Sequence, residues 1–387
     1  MTETESRYFA LYTYHTNRST TGNGGSTVSD EKEKEVSDFL QREARFNSDF
    51  SLSVITTNLK AELETTLRGF IATRLSKGTV FSGIGDVTDI DLGRDESLQC
   101  YYYHLRQAND DHVTDDVSSM YTSEEYVVCF LAAPEESLDL FRVDLDSYSE
   151  DLLPMLDSEM KEVNQVQVYL SRWHQESVQY ITRCINKLNK QLSILLHEAI
   201  SNSKLEVESD DSVTKSEIIK FMHCCSLSDL LQQANNRDGG QQDTSSEPSL
   251  IDFDESGSKL FEVKSENVVK MCIKGDVITF QNSVQNDFCQ EWMHTLLDGP
   301  NDKPAYSRQV IESYKLRVIQ DMNLLKRLVR QAESDHYALY RAFIFLRKCG
   351  NCEVLLKHTN IDCSAMSEDA NHVLNILQEF VMQDTSS

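Results

Sequence analysis

Between residues 304 and 348 a single apolar stripe runs through Ile311, Tyr314, Val318, Met322, Leu325, Val329, Ala332, His336, Leu339, Phe343 and Leu346, stepping by three or four. That spacing lays one face along an α-helix and fits no strand, whose faces alternate every second residue. The C-terminal third must therefore be helical and must bury the stripe. One continuous helix here would span about 66 Å, longer than a small domain is wide, so a break or a protruding end is expected. The segment is also basic. Nine Lys/Arg against four Asp/Glu give it a net of +5 in a chain of −26, leaving −31 for the remainder. On a continuous helix Lys326, Arg327, Arg330 and Arg341 fall within an arc of about 100° beside the stripe, a candidate partner-binding edge. The competing reading is a core helix whose basic flank neutralises acidic helices of the same protein. His336, on the apolar side, reads as a hydrogen-bonded core histidine.

Upstream, the order of elements reads strand (8–14), strand (50–55), amphipathic helix (61–76), strand (86–92), strand (100–106), strand (126–132), then a helix opened by Pro134-Glu135-Glu136. This order is that of the longin and roadblock α+β layouts. Helical periodicity follows from Met160 to Ala199, and a second helix is expected at 215–234 after the acidic break EVESDD. A hairpin about Lys274-Gly275-Asp276 and helices at 284–298, 305–348 and 367–382 complete the chain. The fold class is α+β: an N-terminal mixed sheet with flanking helices, then a mainly helical C-terminal domain. The expected divisions are 1–156 with a mobile loop at 16–30, a helical region 157–234, a disordered acidic linker 235–262, and a hairpin-plus-helical domain 263–387.

The net charge repels phosphate, which argues against nucleic acid and against docking to an anionic membrane. No run approaches the roughly 18 apolar residues of a membrane helix, and the polar start lacks a signal-peptide pattern. Ten cysteines in a chain of this size suit a reducing compartment, so a cytoplasmic protein is expected. Gly83-Ile84-Gly85-Asp86 lacks the third glycine of a dinucleotide fingerprint and reads as a turn, and Ser212-x-x-Lys215 reads as a helix cap. Nothing nominates an enzyme or a cofactor.

Two short patterns remain. Cys349, Cys352, His358 and Cys363 are spaced C-x2-C-x5-H-x4-C, one residue from a zinc knuckle. Against a metal, Cys349-Gly350-Asn351-Cys352 sits at a helix end where Gly-Asn is ordinary capping chemistry, and no metal is expected. Leu250, Ile251, Asp252, Phe253 and Asp254 follow the clathrin-box pattern, in which an extended peptide offers alternate apolar side chains and an acid to a groove.

Several long segments together resemble one family. They are Phe50–Ser53 with Thr57–Leu59, LRGFIATRLSKGTVFSGIGDV (67–87), EYVVCFLA (125–132), LDLFRVDLDSY (138–148), FCQEWMHTLLDG (288–299) and residues 308–350. The chain is similar in these to the Njmu-R protein family, first associated with spermatogenesis. The resemblance implies a small subunit of the WDR-eleven complex, beside a large WD-repeat protein and a FAM-ninety-one-type protein. It further implies capture of endosome-derived vesicles at the trans-Golgi network through an indirect link to golgins, with no catalytic residues. Two other readings stand beside it: a longin-like regulator of small GTPases, and a zinc-dependent nucleic-acid binder.

Overall fold

The computed structural model describes residues 7–16, 50–91, 97–106, 125–156, 163–201, 205–228, 230–231, 269–275, 277–284, 286–300, 302–363 and 368–385. The chain divides into two compact units, Met1–Tyr180 and Ile181–Ser387.

The first unit is built on five strands, β1 (Tyr8–Thr16), β2 (Phe50–Thr57), β3 (Asp86–Asp91), β4 (Ser97–Arg106) and β5 (Glu125–Ala132), ordered β2-β1-β5-β4-β3. Every ladder is antiparallel, where a mixed sheet was expected. Helix α1 (Ala61–Ser76) carries the chain from one edge strand, β2, to the other, β3. After β5 the chain makes two 3₁₀ turns, Pro134–Glu136 and Leu138–Phe141, before α2 (Arg142–Glu150). The turn α3 (Leu153–Leu156), α4 (Val163–Ser171) and α5 (Trp173–Ser177) complete the unit.

Strands β4 and β5 are buried almost end to end rather than alternating, because helices cover both faces of the sheet. On one face Cys100, Tyr102, Val127, Cys129 and Leu131 pack with Leu67 and Ile71 of α1. On the other, Phe130 stacks on Tyr101 at 5.8 Å and on Trp173 of α5 at 5.0 Å. The run Tyr101-Tyr102-Tyr103 alternates between these faces, and each buried phenol donates to a carboxylate. Tyr101 reaches Asp146 Oδ1 (2.7 Å), Tyr102 reaches Asp86 Oδ2 (2.7 Å) and Tyr103 reaches Glu150 Oε1 (2.6 Å). Burial, then the neighbouring carboxylates, push all three phenols well above the ordinary tyrosine range. Gly83, with φ +76°, and Gly85 form the turn that the sequence indicated.

Glu136 fastens three parts of this unit. Its Oε1 accepts from Arg7 at the start of β1 (2.9 Å) and its Oε2 lies 3.1 Å from His174 Nε2 on α5. Burial raises its carboxyl, but the His174 and Arg7 hydrogen bonds and charges outweigh that and hold it at about 2. A carboxyl depressed from 4.5 contributes stability that is fully present above pH 4.5 and lost as pH falls towards 2. Glu136→Gln is therefore expected to flatten the acid limb of the stability curve in that window, read from urea midpoints at successive pH values. An unchanged slope would refute the linkage.

The second unit is mainly helical. Its helices are α6 (Tyr180–Leu188, starting at the boundary), α7 (Leu192–Ile200), α8 (Ser212–Cys225), α9 (Asp287–Leu297), α10 (Pro304–Ala332), α11 (His336–Cys349), α12 (Cys352–Cys363) and α13 (Glu368–Thr385). A three-stranded sheet joins them: β6 (Leu205–Ser209) parallel to β7 (Val269–Lys274), and β8 (Val277–Gln281) antiparallel to β7. The expected acidic break is thus the strand β6. The stretch 160–199 is not one helix but α4 to α7, interrupted among other places at Asn189, which has φ +46°. The helix expected at 215–234 is α8, which ends at Cys225.

Helix α10 buries Ile311, Val318, Met322, Leu325 and Val329, as the stripe requires. Its N-terminal half also buries two cations. Lys315 donates to the Cys224 carbonyl (3.1 Å) at the C-terminal end of α8, where the helix dipole favours positive charge. Arg308 donates to the Cys224 thiol, and Glu312 pairs with both cations. Arg317 pairs with Glu291 (2.9 Å) and lies 5.0 Å above the Phe288 ring. The N-terminal basic flank does neutralise groups of its own protein.

Candidate docking surface

The long helix breaks where Glu333-Ser334-Asp335 separates α10 from α11, as its length required. Asp335 is the N-cap of α11, its Oδ1 accepting from the Tyr337 amide at 2.8 Å. Non-helical residues reset the phase of the stripe. His336 is consequently exposed, not a core histidine, and the buried face of α11 is Ala338, Ala342 and Leu346. Phe343 meets Phe380 of α13 edge-on at 5.8 Å.

The break also divides the four cations that a continuous helix would align. Lys326, Arg327 and Arg330 lie on the last two turns of α10, while Arg341 lies on α11. Lys326 is half-buried and engaged with a neighbour; Arg327, Arg330 and Arg341 are exposed. Among the described residues none of those three is ion-paired, in contrast to Arg308, Lys315 and Arg317.

The outward face of α11 adds what the stripe had hidden. Tyr337 is 67% exposed and Tyr340 58%. Arg341 and Lys348 are exposed and Ile344 is half-buried. The five residues stand at i, i+3, i+4, i+7 and i+11, one continuous face. The signal for it was present as Glu-Ser-Asp ahead of His-Tyr, a helix start inside an apparently unbroken pattern.

Of the cysteine–histidine set, Cys349, Cys352 and His358 are not grouped to hold a metal ion among the described residues. Among the described residues no three His, Cys, Asp or Glu side chains are grouped to hold an ion. Buried His358 has Nε2 2.7 Å from the Ile200 carbonyl, one of the orphan acceptors at the end of α7. Cys349 donates to the Leu346 carbonyl (3.1 Å), and burial pushes its thiol up to about 11. Burial likewise raises Cys352. Gly350, at φ +66°, terminates α11 as the capping reading requires. The side chain of Cys363 and the segment Leu250–Asp254 lie outside the described residues.

One catalytic-looking constellation occurs on α7 and just past its end. Ser201 Oγ is 3.4 Å from His197 Nε2, whose Nδ1 is 3.2 Å from Glu198 Oε1. All three side chains are buried on adjacent turns, and the serine–histidine separation is long for proton transfer. The arrangement satisfies buried polar atoms at the helix end.

No helix among the described residues is long and apolar enough to cross a membrane. No solved structure matches the chain. It is 34% identical to the protein called Protein Njmu-R1 of Mus musculus over 384 residues, which cover 98% of this chain and 91% of that one. The model of the Njmu-R1-like protein family matches residues 9–383. From strand β1 to helix α13, the chain belongs to the Njmu-R1-like protein family.

Proposed function

We propose that this protein acts by binding other proteins, as a non-catalytic subunit of an assembly that tethers endosome-derived vesicles to the trans-Golgi network. Its partners in this reading are a large WD-repeat protein and a FAM-ninety-one-type protein, with golgins engaged indirectly. Cytoplasmic vesicles and the trans-Golgi surface are its places of work, and spermatogenesis is one setting.

The observation that carries the reading is the outward face of α11. Tyrosine and arginine are enriched at the energetic centres of protein interfaces, and here they stand exposed on a helix fixed by its own buried alanines and leucine. A helix so held loses little entropy on docking. The chain belongs to the family whose resemblance implies such an assembly, and the wider assignment is proposed on that ground. Full-length protein isolated by affinity from cytosol is expected to bring down a large WD-repeat protein in a fixed ratio. Repeated recovery without one would overturn the assignment.

A further inference from the structure

We propose that the α11 face, with Tyr337 and Tyr340 as anchors and Arg341 and Lys348 as charges, docks an acidic, apolar-bearing segment of a partner protein. This rests on the reading of the chain as a protein-binding subunit and names the chemistry of what it binds.

Charge is the first argument. The chain carries 63 acidic residues against 37 Lys/Arg, so an exposed cation has an ample supply of carboxylates within its own molecule. Arg308, Lys315 and Arg317 use it. Arg341 and Lys348, on α11, form no ion pair among the described residues. A carboxylate brought by a partner would displace no ion pair among the described residues, and arginine offers the planar fork that binds it in two hydrogen bonds.

The aromatic residues are the second argument. Tyr337 and Tyr340 expose most of their rings although Ala338, Ala342 and Leu346 of the same helix are buried. Two rings one turn apart, with Ile344 one turn further, make an apolar ridge of about 10 Å along the helix axis. An occupant that matches it carries apolar side chains in register with the ridge and acids beside Arg341 and Lys348. The field of a −26 chain opposes every polyanion, most strongly one of dense charge, and nucleic acid is the poorer fit because it brings no aliphatic side chains to match the ridge. The same repulsion opposes an anionic membrane.

The test uses full-length protein and a fluorescein-labelled helical peptide built of glutamate and leucine, followed by anisotropy. A lysine–leucine peptide, phosphatidylserine vesicles and a single-stranded RNA serve as the other arms. The acidic peptide is expected to bind, and both Y337A/Y340A and R341E/K348E are expected to weaken it at least about tenfold. All four positions are exposed, so thermal melting should stay unchanged and exclude unfolding as the cause. Absence of acidic-peptide binding, equal binding by the variants, or preference for vesicles or RNA would each overturn the proposal. The same variants in the cytosolic isolation separate it from the wider reading. A WD-repeat partner recovered equally with wild type and variants sinks the α11 site and keeps the assembly. Recovery with neither sinks the assembly, and the peptide arm then decides the α11 face alone.

Discussion

Trp292→Ala is expected to destabilise residues 181–387 by about 3–5 kcal/mol, the usual cost of emptying a tryptophan site in a core. Trp292 of α9 is fully buried, its ring parallel to Tyr314 of α10 at 5.3 Å and edge-on to Phe288 at 6.5 Å. Tyr314 in turn shares a hydrogen bond with Thr295 (2.9 Å), so the stack ties α9 to the N-terminal half of α10. Removing the indole opens a void that two helices must close. The chain has two tryptophans, one in each unit, so emission left in the variant comes from Trp173 and reports on the first unit. Denaturant midpoints by circular dichroism should fall, and Trp292→Phe should recover much of the loss. A loss below about 1 kcal/mol would show that the ring packs against little.

The second large effect is expected at Gly85. Its backbone is not left-handed; the constraint is space. A Cβ there would stand 2.2 Å from Asp146 Oδ1 and 2.4 Å and 2.6 Å from Cε2 and the hydroxyl of Tyr101. Neither neighbour can retreat. Tyr101 is stacked between Tyr103 and Phe130, and its hydroxyl is bonded to Asp146. Gly85→Ala must therefore break that hydrogen bond or move α2, at a cost of about 3 kcal/mol from overpacking and a lost charged hydrogen bond together. Gly69 is the matched control. It lies inside α1 with nothing within 4 Å of its would-be Cβ, so Gly69→Ala should stabilise by about 0.5–1 kcal/mol. Thermal melts of the two variants should move in opposite directions, and a shared sign would contradict the geometry.

The sequence disclosed this architecture unevenly, for physical reasons. Strands β1, β2, β4 and β5 and helix α1 were legible because burial on a sheet or helix face imposes a local period. β6 was not: Leu-Glu-Val-Glu-Ser carries its burial on little beyond Val207, and its partner β7 lies some sixty residues on. The divided stretch from α4 to α7 hid its breaks because the apolar stripe passes through them and Arg172 at the start of α5 makes no side-chain cap. The same effect concealed the docking face. Three non-helical residues at 333–335 turn His336 outward and make Tyr337 and Tyr340 the exposed ridge, although the periodicity runs through them unbroken. The arc that aligned Lys326, Arg327, Arg330 and Arg341 assumed one continuous helix, and the same break divides it.

Among the described residues, helices cover both sides of the five-stranded sheet of the first unit. Anything that binds there must meet the outer surfaces of its helices, its loops, or the two terminal strands, β2 and β3. β3 carries Asp86, Asp89 and Asp91, all exposed, along that margin. Acidic side chains on a terminal strand repel a second copy of the same strand and so protect it against edge-to-edge aggregation. The acidic margin thus keeps the sheet from joining its own kind.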